Sequence, residues 1–209
     1  MTKIDKKILM DIVLATKNKG KVKELERLLA DLHINILPMS DFPEVGEIEE
    51  SGETFEENAL IKAREVANIT GYIAMADDSG LAVDALDGKP GVYSARYAGE
   101  GAGDEANNRK LIEDMNELSL DKRSAAFICF MAVVDPSGKS ITTSGRCEGI
   151  VRDVPSGRGG FGYDPLFYVE EYGCTMAELS PEVKNSISHR GRAVAELKKL
   201  LPGFLDSLK

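Results

Sequence analysis

The spacing of apolar and polar residues predicts a strand, a polar loop and a helix near the start of the chain. Residues 8–15 form an apolar run of strand length. After the polar segment 16–21, Val22, Leu25 and Leu29 recur at intervals of three and four residues, which place them on one face of a helix. The first unit is therefore predicted to be strand, loop, helix.

A capping signal predicts the next helix. A second apolar run, 34–37, leads into an acidic loop with Pro and Gly, 38–52. Thr54 and Glu57 then stand three residues apart, which is the spacing of a capping box. A helix over about 55–69 follows from that signal.

Two strand-like segments, 72–76 and 81–83, flank a polar stretch of Asp, Ser and Gly at 77–80. These residue types are the commonest in turns, so the stretch predicts an acidic turn between the two segments. Further along, Asp104 is predicted to cap a helix that ends near Leu118.

The middle of the chain predicts a long β-hairpin. The apolar segment 125–134 is joined to the segment 140–152 by the turn sequence Asp-Pro-Ser-Gly at 135–138. A hairpin that follows strand–helix units indicates a mixed rather than an all-parallel sheet.

Helix-start signals return near the end of the chain. A Ser-Pro pair at 180–181 predicts one helix, and Ser188 is predicted to cap a last helix that runs to about Leu201. The fold class predicted from all of these elements is α/β. We expect one domain over 1–209, an elongated mixed sheet of two lobes with flanking helices and a ligand cleft between the lobes, preceded by a disordered extension at 1–7.

Composition limits the classes of function. The formal net charge of -9 disfavours non-specific binding to nucleic acid or to an anionic membrane, because both require a basic surface. No apolar run approaches the ~20 residues that span a bilayer. The three cysteines, Cys129, Cys147 and Cys174, are widely separated, which fits reduced thiols in a cytoplasmic protein better than disulfides or a metal site.

Asp77 and Asp78 are the most informative pair in the chain. Two adjacent carboxylates follow the apolar segment 72–76 and precede Gly80. Because neighbouring side chains on an extended chain point to opposite faces, only one of the two can enter a given pocket. The alternative is that the stretch is an ordinary solvated turn.

The polar loop after the first strand is a candidate phosphate site. It contains three lysines within the segment 16–21 and leads into a helix N-terminus, where backbone N–H groups favour anions. It does not match the P-loop pattern. Ordinary surface charge would give the same composition.

A glycine-rich loop at 157–162 matches the letters of the dinucleotide-binding fingerprint, but Pro165 follows and disfavours the helix that this fingerprint needs. The loop could instead bring backbone close to a ligand, with Phe161 or Tyr163 stacked on a flat ring. The alternative is a structural loop whose aromatic side chains fill the core.

Two further groups of charged residues could complete a site. Lys184, His189 and Arg190 lie near the start of the last helix, where cations oppose the helix dipole unless they have an anionic or electron-rich partner. Asn58 and Lys62 share a face of the second helix. An acid from the preceding loop, Glu49 or Glu50, could join Asp78 in an oxygen-rich site suited to Mg²⁺. Taken alone, the two glutamates are typical of an acidic surface loop.

Together these segments resemble the inosine triphosphate pyrophosphatase family over nearly the whole chain. The resemblance is carried, in the family's order, by Leu14–Lys21, Glu49–Phe55, Asn58–Arg64, Ala76–Leu81, Gly159–Pro165 and Ser188–Arg190. It implies Mg²⁺-dependent hydrolysis of dITP, ITP or XTP to the monophosphate and pyrophosphate by a homodimer. It also implies that Asp78 is the catalytic acid and that Glu49 and Asp78 bind the metal.

The same resemblance implies a nucleotide site formed by Thr16, Lys17, Asn18, Lys19, Gly20, Lys21, Lys62, Ser79, Phe161, Gly162, Tyr163, Asp164, Lys184, His189 and Arg190. Donors such as His189 or Arg190 would face the 6-oxo group of the base, with Asp164 as acceptor for its ring N–H. By strand parity Asp77 could be the acting acid in place of Asp78.

Three alternatives stay open. One is a Maf-like pyrophosphatase for other modified nucleotides. Another is a module that binds nucleotides without cleaving them, although two acids beside a phosphate loop argue against it. The third, a nucleic-acid binder, is the least compatible with the net acidity.

Overall fold

A computed structural model describes residues 10–208, so the extension expected at 1–7 lies outside the described residues. The strands are β1 (Met10–Leu14), β2 (Ile34–Pro38), β3 (Ile73–Val83), β4 (Ser124–Val134), β5 (Ser140–Val151), β6 (Phe167–Val169) and β7 (Cys174–Thr175). The α-helices are α1 (Lys19–Leu29), α2 (Phe55–Thr70), α3 (Gly103–Asp114), α4 (Pro181–Ile187) and α5 (His189–Asp206).

The strands form one mixed sheet of seven strands in the order β2-β1-β3-β4-β5-β6-β7. β1 pairs in parallel with β2 and β3, whereas β3, β4 and β5 are antiparallel neighbours. The hairpin predicted for β4 and β5 is confirmed, with Val134 opposite Ser140 at its turn. The predicted mixed sheet with flanking helices is confirmed as well. Within residues 10–208 no helix is long and apolar enough to cross a membrane.

The acidic turn predicted between two short strands is wrong. Residues 73–83 form one continuous strand, β3, which pairs with β4 from Ala74 to Val83. Gly80 serves packing rather than a turn, since a Cβ atom there would lie 2.3 Å from the Ser94 Oγ atom. Long-range pairing with β4 therefore overrides the local turn composition.

The long central strands pass through both lobes. In the first lobe, α1 and α5 cover one sheet face around Ile12 and Met131, and α2 covers the opposite face around Val13 and Ala132. In the second lobe, α3 and β6 pack around Phe127. The cleft lies where the same strands leave one lobe and enter the other.

Helix starts follow the predicted caps with one exception. Thr54 and Glu57 form the predicted capping box of α2, and Ser188 accepts a hydrogen bond from the Gly191 N–H at the start of α5. The predicted Asp104 cap is wrong, because α3 begins at Gly103 and the Asp104 side chain binds the Gly162 backbone N–H instead. α5 also continues past its predicted end to Asp206.

Candidate active site

A cavity of about 330 Å³ opens between the two lobes, within the size range of small-molecule sites. Most of the residues predicted from the sequence line it: Thr16, Lys17, Asn18, Lys21, Lys62, Asp78, Ser79, Phe161, Gly162, Tyr163, Asp164, Lys184, His189 and Arg190. Lys19, Gly20 and Glu49 are not among the lining residues. The elements that meet here are the α1 N-terminus, α2, the middle of β3, the loop before β6 and the α4–α5 junction.

The two adjacent acids of β3 point to opposite sides of the sheet, as strand parity predicts. Asp77 is 1% exposed and does not line the cavity. Its Oδ2 atom lies 3.0 Å from the Arg190 Nη2 atom and 3.1 Å from the Lys21 Nζ atom, and it accepts a hydrogen bond from the Ser79 hydroxyl. Burial acts to raise the pKa of Asp77, but the Lys21 and Arg190 charges outweigh it and hold that pKa far below its usual range.

Asp78 lines the cavity and faces α2. Its Oδ1 atom lies 3.0 Å from the Lys62 Nζ atom, and the Asn58 side-chain amide donates to its Oδ2 atom at 3.4 Å. Burial raises the pKa of Asp78 in spite of the nearby Lys62 charge. A carboxylate with a raised pKa is a better proton acceptor, so Asp78 rather than Asp77 has the character of a general base.

The acidic loop brings Glu50, not Glu49, to this acid. The Lys62 Nζ atom lies 3.0 Å from the Glu50 Oε1 atom as well as 3.0 Å from Asp78. Glu49 is exposed and does not line the cavity, whereas Glu50 does. The predicted pairing of Glu49 with Asp78 therefore does not match the geometry, and Glu50 takes that position. Burial acts to lower the pKa of Lys62, but the Asp78 and Glu50 charges raise it overall.

The predicted phosphate loop leads directly into α1. The Asn18 side chain caps the helix by accepting hydrogen bonds from the Gly20 and Lys21 N–H groups. Lys21 reaches the cavity, whereas Lys19 is exposed and outside it. Gly20 supplies space, because a Cβ atom there would lie 2.6 Å from the Phe161 ring.

Phe161 forms an aromatic wall flanked by cations. The Lys184 Nζ atom lies 5.2 Å from the ring centroid, and the Arg190 guanidinium lies 5.6 Å from it. The Asp164 Oδ2 atom accepts hydrogen bonds from Lys184 at 2.6 Å and from the Phe161 N–H at 2.9 Å. This oxygen of Asp164 therefore fixes the wall instead of standing free to accept a ligand N–H.

His189 lies at the same end of the cavity and stacks on Phe127 with ring centroids 4.8 Å apart. Burial, followed by the Arg190 and Lys184 charges, lowers the pKa of His189 well below its ordinary value. The imidazole is therefore neutral near pH 7. A neutral ring offers one N–H donor and one acceptor to a ligand.

Glu24 is a member of the site that the sequence did not reveal. Its carboxylate accepts from Lys184 at 2.6 Å and forms a shorter contact with the Arg190 Nη1 atom. Since Asp77 and Ser79 accept from the other nitrogens of Arg190, this guanidinium is held on all sides by the protein. One sequence feature could have indicated it. Glu24 stands three residues after Lys21, so the two lie on the same face of the helix that follows the phosphate loop.

A mixed sheet with flanking helices, and a cleft lined by lysines, an aromatic wall and two carboxylates, are the features expected of a protein that binds nucleotides. The chain belongs to the Ham1 family, whose family model matches residues 12–200. This finding confirms the resemblance noted in the sequence.

Relatives with curated names are similar over almost their whole length. The Geobacter sulfurreducens protein named dITP/XTP pyrophosphatase is 58% identical over 187 residues, which cover 90% of this chain and 94% of that protein. A Bacillus cereus protein of the same name is 51% identical over 193 residues, covering 91% of this chain and 94% of the relative. Among solved structures, a HAM1 protein from Coxiella burnetii has a TM-score of 0.85 at 44% identity and covers 93% of this chain and 100% of its own.

Proposed function

We propose that this protein hydrolyses non-standard purine nucleoside triphosphates, dITP, ITP and XTP, to the nucleoside monophosphate and pyrophosphate. It would thus be a hydrolase that acts on phosphoric anhydrides, as the names of its relatives indicate. The observation that carries the proposal is Asp78, a buried acid with a raised pKa that faces a cavity between a phosphate loop and an aromatic wall.

The reaction divides into tasks that fit the residues present. Lys21 and the backbone N–H groups at the α1 N-terminus would hold phosphate oxygens. Asp78 would accept a proton from the water that attacks the α-phosphorus, while the bond from that phosphorus to the bridging oxygen breaks and pyrophosphate leaves. The proton would then pass to solvent.

Mg²⁺ fits this donor set. It binds through one or two carboxylates and completes its shell with water and substrate phosphates. Asp78 and Glu50 supply two carboxylates that share the Lys62 ammonium. Within residues 10–208 no group of three or more acidic, His or Cys side chains could hold a metal. We propose Asp78 and Glu50, in place of Glu49, as the protein ligands, because both line the cavity and Glu49 does not. Bound there, the ion would neutralise phosphate charge and lower the pKa of a bound water.

Base selection follows from hydrogen-bond matching. Hypoxanthine and xanthine have a 6-oxo acceptor and an N1–H donor, whereas adenine has a donor and an acceptor in the reverse positions. The neutral His189 can donate one N–H to the 6-oxo group, and Lys184 adds a cationic donor nearby. Adenine would leave such buried groups unpaired, which costs binding free energy.

The test is pyrophosphate release from ITP, dITP, XTP, GTP and ATP at matched concentration, with Mg²⁺ and with EDTA. We expect metal-dependent release from the first three and little from ATP. Orthophosphate as the first product would instead indicate cleavage at the γ-phosphate. Binding of ITP without any cleavage would favour the nucleotide-binding module.

Membership of the Ham1 family favours this activity over the Maf-like alternative. The homodimer stays a prediction from the resemblance, and the cytoplasmic location stays a prediction from the three separated cysteines. Size-exclusion chromatography with light scattering tests the oligomeric state directly.

A further inference from the structure

One backbone residue beside the aromatic wall is held on both sides by the same helix. The Asp104 Oδ2 atom accepts a hydrogen bond from the Gly162 N–H at 2.7 Å, and the Asn108 side-chain amide donates to the Gly162 carbonyl oxygen at 3.1 Å. Asp104 and Asn108 stand four residues apart on α3, so they share one helix face. The two side chains form a clamp on Gly162.

The clamped residue lies in the irregular segment that joins β5 to β6. No helix or strand lies between Val151 and Phe167, and Gly162 has a φ of 61°, in the left-handed region. Gly162 directly follows Phe161, whose ring forms the wall. The backbone next to that ring is therefore held on one side by the hydrogen bond from the Phe161 N–H to Asp164 and on the other by the clamp on Gly162.

The Asn108 amide is oriented for this single contact. Its Oδ1 atom is buried and has no hydrogen-bond partner among the described residues, whereas its amide nitrogen donates to Gly162. A buried acceptor left unpaired costs free energy. The contact to Gly162 therefore accounts for the orientation of this side chain.

We propose that Asp104 is a positioning residue for nucleobase binding, which acts through the Gly162 backbone to fix the Phe161 ring, with Asn108 as the second half of the clamp. The proposal rests on the proposed function, since it assumes that the base lies against Phe161. Asp104 lines the cavity next to Phe161 and Gly162, and among the described residues no hydrogen bond or ion pair joins its carboxylate to Lys21, Lys62 or Asp78, so its effect should be confined to the base side of the cleft.

The test separates base binding from phosphate binding. We would measure the KM for ITP, the Kd for inosine monophosphate by calorimetry and the inhibition constant of inorganic tripolyphosphate, which has no base. Asp104→Ala should raise the KM for ITP and the Kd for inosine monophosphate about tenfold, as the loss of one hydrogen bond to a charged group predicts. It should leave the inhibition constant of tripolyphosphate unchanged.

Glu105→Ala is the matched control, because it removes the same charge from the same helix turn at an exposed position. It should behave like the parent protein. Asp104→Asn retains an oxygen acceptor for the Gly162 N–H and should recover most of the loss. Asn108→Ala should shift the same two constants in the same direction.

Equal effects of Asp104→Ala and Glu105→Ala would overturn the proposal, because charge alone would then explain them. An equal rise in the tripolyphosphate constant would also overturn it, since the effect would not be confined to the base. If the parent protein binds inosine monophosphate but cleaves no triphosphate, the proposed function fails, and the Kd values still decide the clamp.

Discussion

Replacing Asp77 and Asp78 separately should have different effects, although the two residues are neighbours: the first change should lower stability and the second should abolish turnover. Asp77→Asn should weaken the fold. The Asp77 side chain is 0% exposed and neutralises Arg190 at 3.0 Å and Lys21 at 3.1 Å. Removing one partner of a buried ion pair costs about 3–5 kcal/mol, because the remaining charge is left buried and uncompensated.

The corresponding fall in melting temperature is roughly 6–20 °C, since each kcal/mol shifts a chain of this length by about 2–4 °C. Asp78→Asn should leave the free energy of unfolding nearly unchanged. The pKa of Asp78 is raised by burial, so its charged form is already disfavoured in the folded state. Lys62 retains Glu50 as a partner in this variant.

Unfolding at acidic pH provides a second measurement of how much the Asp77 carboxylate stabilises the fold. The pKa of Asp77 in the folded protein is depressed from its ordinary 3.8, so its stabilising effect is present above that pH and is lost as the pH falls through the folded pKa. Asp77→Asn should therefore flatten the decline in unfolding free energy below about pH 4.

The assay combines urea unfolding monitored by circular dichroism with pyrophosphate release from ITP. We expect Asp78→Asn to unfold like the parent protein and to lose turnover, and Asp77→Asn to unfold at lower urea. Appreciable turnover by a folded Asp78→Asn variant would refute the assignment of Asp78 as the acid. A fully stable but inactive Asp77→Asn variant would refute the structural role of Asp77.

Three further changes test other parts of the site and the fold. Glu50→Gln should raise the Mg²⁺ concentration for half-maximal pyrophosphate release severalfold, whereas Glu49→Gln, its exposed neighbour, should not; equal shifts would contradict the proposed ligand. Phe161→Ala should raise the KM for ITP by about 5- to 150-fold, because base–aromatic stacking contributes about 1–3 kcal/mol; an unchanged KM would place the base elsewhere. Thr54→Ala should lower the unfolding free energy by about 1 kcal/mol through loss of the α2 cap, as measured by urea unfolding, and no change would show that the capping box contributes nothing.

The sequence was sufficient to predict elements whose stabilising contacts join residues close together in the chain. The capping box of Thr54 and Glu57 predicted the start of α2, because its hydrogen bonds join residues three apart. The β4–β5 hairpin was predicted for the same reason, since its turn and its two apolar segments are contiguous. The Gly-rich loop at 157–162 does not lead into the helix that a dinucleotide fingerprint requires, as the nearby Pro165 predicts.

Errors arose where a distant partner decides the local structure. Asp77 to Gly80 have turn composition, yet pairing with β4 and the approach of Ser94 to Gly80 make them part of a strand. Asp104 has the composition of a cap, yet its partner is a residue 58 positions away. Sequence spacing alone does not reveal such partners.

The choice between Glu49 and Glu50 could not be made from the residues alone. Both glutamates lie in a loop without helix or strand, so the sequence offers no periodicity that shows which of them faces the cleft. The contact between Lys62 and Glu50 decides it. Glu24 was missed because a single glutamate on an amphipathic helix is normally a solvated residue.

The continuous strand β3 has a consequence for which sequence changes the protein can tolerate. Asp77, Asp78 and Ser79 take their directions from one pleated backbone whose side chains alternate with a period of two. Inserting or deleting a single residue early in β3 would turn each of these side chains to the opposite face, exchanging the buried ion pairs with the cleft-facing acid. We therefore expect changes in length to be rarer in this strand than changes of residue type, even at positions where several side chains would fit.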